Sequence, residues 1–178
     1  YSVLTIMTHL AYMGIWDKTT IMSYMNTNLL SSSKSLLRDA GQALIYMAKK
    51  QGSKVNQSII ENIINKVSYV FDEDTHTYLY ILKNVLLNNG ISKGTRTMLE
   101  DWVKKLPDRI EHYSISEEIK DDIRYRANQI SGIMSIVWPD WSGLSDWQAY
   151  IKKEHIKNDV KNGFEYGVRL AESKKEAN

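Results

Sequence analysis

Between residues 34 and 87, apolar side chains return every three or four positions in three successive runs. Leu36, Leu37, Ala40, Leu44, Met47 and Ala48 line the first run, over residues 34–50. Ile60, Ile63, Ile64, Val67 and Val70 line the second, over 59–70. Leu79, Leu82, Val85 and Leu86 line the third, over 77–87. This spacing gathers each set on one face of a helix, so three amphipathic helices are predicted. Gly52 and Gly90 close the first and third. Their surroundings are alike, Lys-Lys-Gln-Gly-Ser-Lys at 49–54 and Asn-Asn-Gly-Ile-Ser-Lys at 88–93. The stretch from 34 to 106 thus reads as one and a half copies of a helical hairpin, whose apolar face needs a stacked neighbour.

The rest of the chain extends the pattern. Residues 1–16 are apolar round most of a helical circumference, which predicts a helix covered on more than one side. Asp17-Lys18-Thr19-Thr20 supplies capping side chains for a helix over about 19–30, and Ser31-Ser32-Ser33 separates it from the next. Gly41, beside Ala40 and Ala43, makes a small-residue patch that admits close helix packing. Asp72-Glu73-Asp74 precedes the third run, where its charge complements the helix dipole and Asp74 is placed to cap. A helix over 95–106, with Leu99, Trp102 and Val103 inward, is expected to stop at Pro107-Asp108, leaving 109–116 as a connector. Ser116-Glu117-Glu118 opens a long helix that runs to about Trp138. After the Trp138-Pro139-Asp140-Trp141 break, one helix is expected over 145–172, weakened by Gly163 and Gly167, with a frayed tail at 173–178. No segment alternates in the manner of a strand.

A chain of 178 residues, 43% hydrophobic and 25% charged, has the balance of a globular domain with a core. Its net charge of +2 exerts no overall pull on nucleic acid. Lys49, Lys50, Lys54, Lys93, Arg96, Lys104 and Lys105 recur near hairpin ends and make a modest positive ridge, but nucleic-acid binding usually needs a stronger surplus, so that partner is disfavoured. The absence of cysteine excludes disulfides, thiolate zinc sites and a cysteine nucleophile. No apolar run approaches bilayer length, so no transmembrane segment is expected. The chain begins at Tyr1 rather than methionine, which points to a processed product or an excised segment. Nothing in it fixes a compartment.

His9, His76, His112 and His155 lie far apart and lack metal-binding spacing. Asp72, Asp74 and His76 alternate, but the glycine and closing glutamate of a calcium loop are missing, so no metal site is expected. Neither a nucleophile turn nor a phosphate-binding glycine loop occurs, so no catalytic residue and no cofactor are assigned. Glu118 and Asp122 share a helix face near Arg124 and Arg126, which reads as a solvated ion-pair surface. Five tryptophans and eleven tyrosines exceed what a plain helical core requires. Trp138, Trp141 and Trp147 gather round one loop, with Tyr150 beside them. They read either as a plug fastening the last helix or as a binding surface for protein, lipid or sugar.

Two groups of residues carry a family likeness. Leu36-Leu37-Arg38-Asp39-Ala40 with Leu44, and Tyr78-Leu79-Tyr80 with Leu82 and Val85, closed by Gly52 and Gly90, resemble HEAT or armadillo-type α-hairpin repeats. The likeness covers roughly residues 19–138, without the proline that HEAT units usually carry early in the first helix. Such repeats serve mostly as binding scaffolds; they also occur in large lipid-transfer proteins and a few DNA-repair enzymes. The resemblance transfers no functional residue.

The expectation is therefore an all-α fold of stacked antiparallel helical hairpins, a HEAT-like superhelix or an irregular α-bundle. It spans 1–178 as one helical domain, with the hairpin stack at 19–138. The expected function is a non-catalytic scaffold or protein-interaction domain, part of a larger protein or assembly, with a protein partner or self-association. The alternative is a helical enzyme or a lipid or small-ligand domain, with a pocket near the Trp138–Trp147 loop where His112 or His155 meets a carboxylate.

Overall fold

Seven helices follow one another in a computed structural model that describes residues 34–177 apart from Val70 and Glu73, together with Ile6, His9, Leu10, Met13, Ser23 and Thr27. The helices expected over 1–16 and 19–30 otherwise lie outside the described residues. The elements are α1 (Lys34–Gln51), α2 (Gln57–Tyr69), α3 (Thr75–Leu87), α4 (Lys93–His112), α5 (Glu117–Val137), α6 (Leu144–Ile151) and α7 (Asn158–Ala177). No strand occurs among the described residues, and the fold is all-α.

The helices pack in two layers. α1, α3, α5 and α7 lie side by side in one, and α2, α4 and α6 in the other. Within a layer neighbours run parallel: Gly41 meets Ile81 and Ala48 meets Gly90 across α1 and the end of α3. In the second layer Gln57 bonds Ser92, Thr95 bonds Glu61, and the Trp102 indole donates to the Val67 carbonyl. Short connectors between parallel neighbours require successive helices to be antiparallel. Each apolar stripe thus faces the opposite layer, with Leu44, Ile60, Leu82, Leu99 and Ile130 all fully buried between them.

Two turns touch where α1 and α3 end. Gly52 takes φ +57°, and in the second turn it is Asn89, not Gly90, that turns left-handed, at φ 58°. The N–H groups of Asn89 and Gly90 return to the carbonyls of Leu86 (3.1 Å) and Val85 (2.9 Å), closing α3 with a Schellman turn. Gly90 is needed for space instead: a Cβ there would lie 2.9 Å from that of Ala48. The Gln57 amide clamps the pair, donating to the Gly90 carbonyl and accepting from the Ser92 N–H. At α3 itself Asp74 stands at the N-cap, but its carboxylate makes no capping bond.

Two expected boundaries are corrected. α4 does not stop at Pro107 but continues to His112, because Leu106 and Ile110 prolong the buried stripe of Leu99, Trp102 and Val103. The lost N–H is outweighed by that burial. The single helix expected over 145–172 is two, α6 and α7, separated by residues 152–157. The break lets α7 turn back and run parallel to α5, where Gly163 lies against the Tyr125 carbonyl and Gly167 against that of Gln129. These glycines, expected to weaken the helix, instead allow the close approach of α7 to α5. Residues 127–134 of α5 are consequently buried on every side.

Candidate functional site

A polar cluster sits where α4, α5 and α6 converge, and its centre is Arg124. Its side chain is 0% exposed. Ser116 starts α5, its Oγ accepting the Ile119 N–H at 3.3 Å, which fixes the register that aims Arg124 inward. The guanidinium donates from Nη1 to Asp121 Oδ1 (2.8 Å) and Glu117 Oε2 (3.2 Å), one and two turns earlier on the same helix. From Nη2 it donates to Glu111 Oε1 at the end of α4 (2.9 Å), and from Nε to the Tyr150 hydroxyl on α6 (2.9 Å). The Tyr150 hydroxyl passes its own proton toward Glu111 Oε1 at 3.0 Å, closing a ring. His155 Nε2 reaches the same oxygen at 2.9 Å.

Electrostatics follow from that geometry. Burial alone would raise the Glu111 carboxyl, but hydrogen bonds from His155, Tyr150 and Arg124 outweigh it and hold it at about 2, below the ordinary 4.5. Burial works against the Arg124 charge too, and is outweighed by its bonds to Tyr150, Asp121 and Glu117, so its pKa rises. The hydrogen bond from Arg124 lowers Glu117. Burial pushes the Tyr150 phenol above its usual value. Lys120 approaches Glu117 at 3.5 Å and Lys157 approaches Asp121 at 3.8 Å. Three carboxylates therefore face three permanent cations, and the cluster is neutral before His155 is counted.

Chemically, a carboxylate held at about 2 is a poor proton acceptor at neutral pH. Glu111 is built to orient the His155 imidazole and the Tyr150 hydroxyl rather than to abstract protons. Beside the cluster, sharing Asp121 with it, opens a cleft of about 470 Å3 lined by Glu118, Asp122, Tyr125 and Asp159. No group of three or more acidic or histidine side chains is arranged to hold a metal among the described residues.

The aromatic residues singled out in the sequence are placed differently from one another. Trp147 and Tyr150 are buried and packed together, ring centroids 5.6 Å apart. Trp147 Nε1 donates to Asn128 Oδ1 at 2.9 Å, while Asn128 Nδ2 donates to the Val160 and Lys161 carbonyls of α7. Trp141 is buried, and with Trp147 it borders a small cavity of about 150 Å3. Trp138 is half-buried and stacks on Arg96, 4.9 Å from its ring centroid. Arg96 is further tied to Glu100 (2.6 Å) and Asp140 (2.8 Å), which removes it from the free positive ridge.

The expected solvated ion-pair surface is corrected at Arg124, which is interior. Glu111 was hidden by reading Pro107 as a stop. The signal that could have found it is the four-residue step from Leu106 to Ile110, which carries the helix past the proline. The spacing of Glu117, Asp121 and Arg124 on one face was the other legible sign. Asn128 had none. No family model, curated protein or solved structure matches this chain.

Proposed function

We propose that this chain is a non-catalytic helical interaction domain, a stack of α-hairpins of HEAT or armadillo type within a larger protein or assembly. The observation that supports it is the two-layer arrangement, with parallel neighbours inside each layer. In such a stack each hairpin buries its stripe on the next, and broad helix faces are left for partners. The polar chemistry is consistent with that role. Arg124, Tyr150, Asn128 and Trp147 are bonded to one another or to the backbone across three helices, which fixes helix positions. The test is light scattering coupled to chromatography over a concentration series, followed by capture with the immobilised chain. Self-association, or saturable capture of one defined protein, is expected. A monomer at every concentration that captures nothing would overturn the proposal.

One observation favours a second reading, a ligand site. His155, 47% exposed, meets the Glu111 carboxylate in the cluster that shares Asp121 and Lys157 with the acidic cleft. Its check is a tryptophan-fluorescence titration against lipid and sugar panels. A saturable shift that disappears in His155→Ala would favour the ligand site over the scaffold.

A further inference from the structure

Lys83 of α3 lies between two tyrosines from different helices. Its Nζ is 5.1 Å from the ring centroid of Tyr80 and 5.9 Å from that of Tyr166 on α7. Both rings are half-exposed, at 39% and 43%. Scattered surface aromatics are ordinary, but two of them converging on one cation are not. Burial, and then the positive charge of Arg126 on α5, lower the Lys83 pKa. Among the described residues neither Lys83 nor Arg126 has a carboxylate oxygen within 4.0 Å. Arg96 and Arg124, by contrast, are each held by acidic side chains. Lys83, partly desolvated, and the nearby Arg126 repel one another, and an anion seated over them relieves both.

The sign of the surface reverses about one helical turn away. Asp122 precedes Arg126 by four residues on α5, and Asp159 precedes Tyr166 by seven on α7, so each pair shares a helix face. Those two carboxylates, with Glu118 and Asp121, line the cleft between the first halves of α5 and α7, where Lys157 is the only cation. The outer face of the first layer therefore carries a positive, aromatic pole beside a negative one. A uniform polyanion tracking this groove would run from Lys83 into four carboxylates.

We infer that this face docks a charge-segregated peptide segment of a protein partner, its acidic half over Lys83 and Arg126 and its basic half over the cleft. The occupant is set by charge complementarity, and Tyr80 and Tyr166 supply apolar contact at the positive pole. The inference rests on the interaction-domain reading and specifies its surface.

The test is fluorescence anisotropy with three labelled probes, at low and physiological salt. One is a peptide with glutamates flanking a tyrosine in one half and lysines in the other. The second has the same composition with the charges alternating, and the third is a single-stranded oligodeoxynucleotide of similar length. The segregated peptide is expected to bind at least about tenfold more tightly than either control. Lys83→Met, which keeps an unbranched stem between the rings, combined with Arg126→Gln should cost about tenfold, with an unchanged thermal melt. Arg126→Gln alone spares the Lys83 packing and should give a smaller loss in the same direction, should the double variant fold poorly. Equal affinity for both peptides, no binding of the segregated one, or undiminished binding by the variants would overturn the inference. Tighter binding of the oligonucleotide would do so too, by replacing the partner class. If the double variant still self-associates or captures its protein as the parent does, the face is wrong while the interaction domain stands.

Discussion

Arg124 and Glu111 meet across α5 and α4 with Nη2 2.9 Å from Oε1, the arginine side chain wholly buried and the carboxylate reaching solvent. That asymmetry makes the two partners unequal. Arg124→Ala empties a buried volume and strips three carboxylates and the Tyr150 hydroxyl of their common donor. A loss of about 3–5 kcal/mol is expected. Glu111→Gln keeps the volume and an acceptor for Arg124 and Tyr150 but removes the charge, and should cost less, about 1–3 kcal/mol. Urea unfolding of both variants checks this. Equal costs would mean that the buried arginine does not carry the cluster.

The same carboxylate sets an acid limit. Its folded pKa, about 2, lies below the ordinary 4.5, so the unfolded chain binds the proton first. The stabilisation is complete above the unfolded value and drains away as pH falls from about 4.5 through about 2. Glu117, also lowered, adds to the loss in the same direction. Melting temperature followed from neutral pH downward should therefore fall more steeply in the parent than in Glu111→Gln. Parallel curves would show that Glu111 has no special partners in the folded state.

How much of this was legible depends on the distance over which each feature is determined. The stripes of α1 to α3 could be read directly apart from Leu36, which is exposed, because periodicity is a local property and Leu44, Ile63 and Leu82 fall where it puts them. The small patch at Gly41 was read correctly as packing, since a Cβ there would lie 2.6 Å from Ile81. Local rules failed where tertiary burial overrode them. Pro107 signals an end, yet Ile110 makes continuation favourable, and Glu111 is delivered to Arg124 only by that continuation. Gly163 and Gly167 signal weakness until α5 is placed against them. The partners of Arg124 come from three separate segments, and no single window of sequence contains them.

Asn128 joins three helices through one amide, accepting from Trp147 on α6 and donating to two carbonyls of α7. Trp147→Phe preserves most of the apolar volume but leaves Asn128 Oδ1 buried without its donor. The expected cost is about 1–3 kcal/mol, measurable by chemical unfolding. Asn128→Leu in the Trp147→Phe background should recover less than the single loss, because two α7 carbonyls lose their second donor. Full recovery would reduce Asn128 to a partner of the indole alone.

The parallel contact of α5 and α7 gives the most discriminating comparison between glycines. A Cβ on Gly167 would stand 2.1 Å from the Gln129 carbonyl oxygen, a backbone atom that cannot swing aside. Alanine ordinarily improves a helix interior by about 1 kcal/mol relative to glycine. Here the helices must separate to admit it, opening the buried core of α5, and overpacking of this kind costs about 1–3 kcal/mol or more. Gly167→Ala should therefore be destabilising despite the better propensity. Gly94, in the first turn of α4, has nothing within 4 Å of its added Cβ. There Gly94→Ala meets only the propensity effect and should stabilise by about 0.5 kcal/mol. Opposite signs for one chemical change, read from two denaturation curves, are the expected result. If Gly167→Ala proved as benign as Gly94→Ala, α7 could not lie as close to α5 as this packing requires, and the link from α5 through Asn128 to α6 would loosen with it.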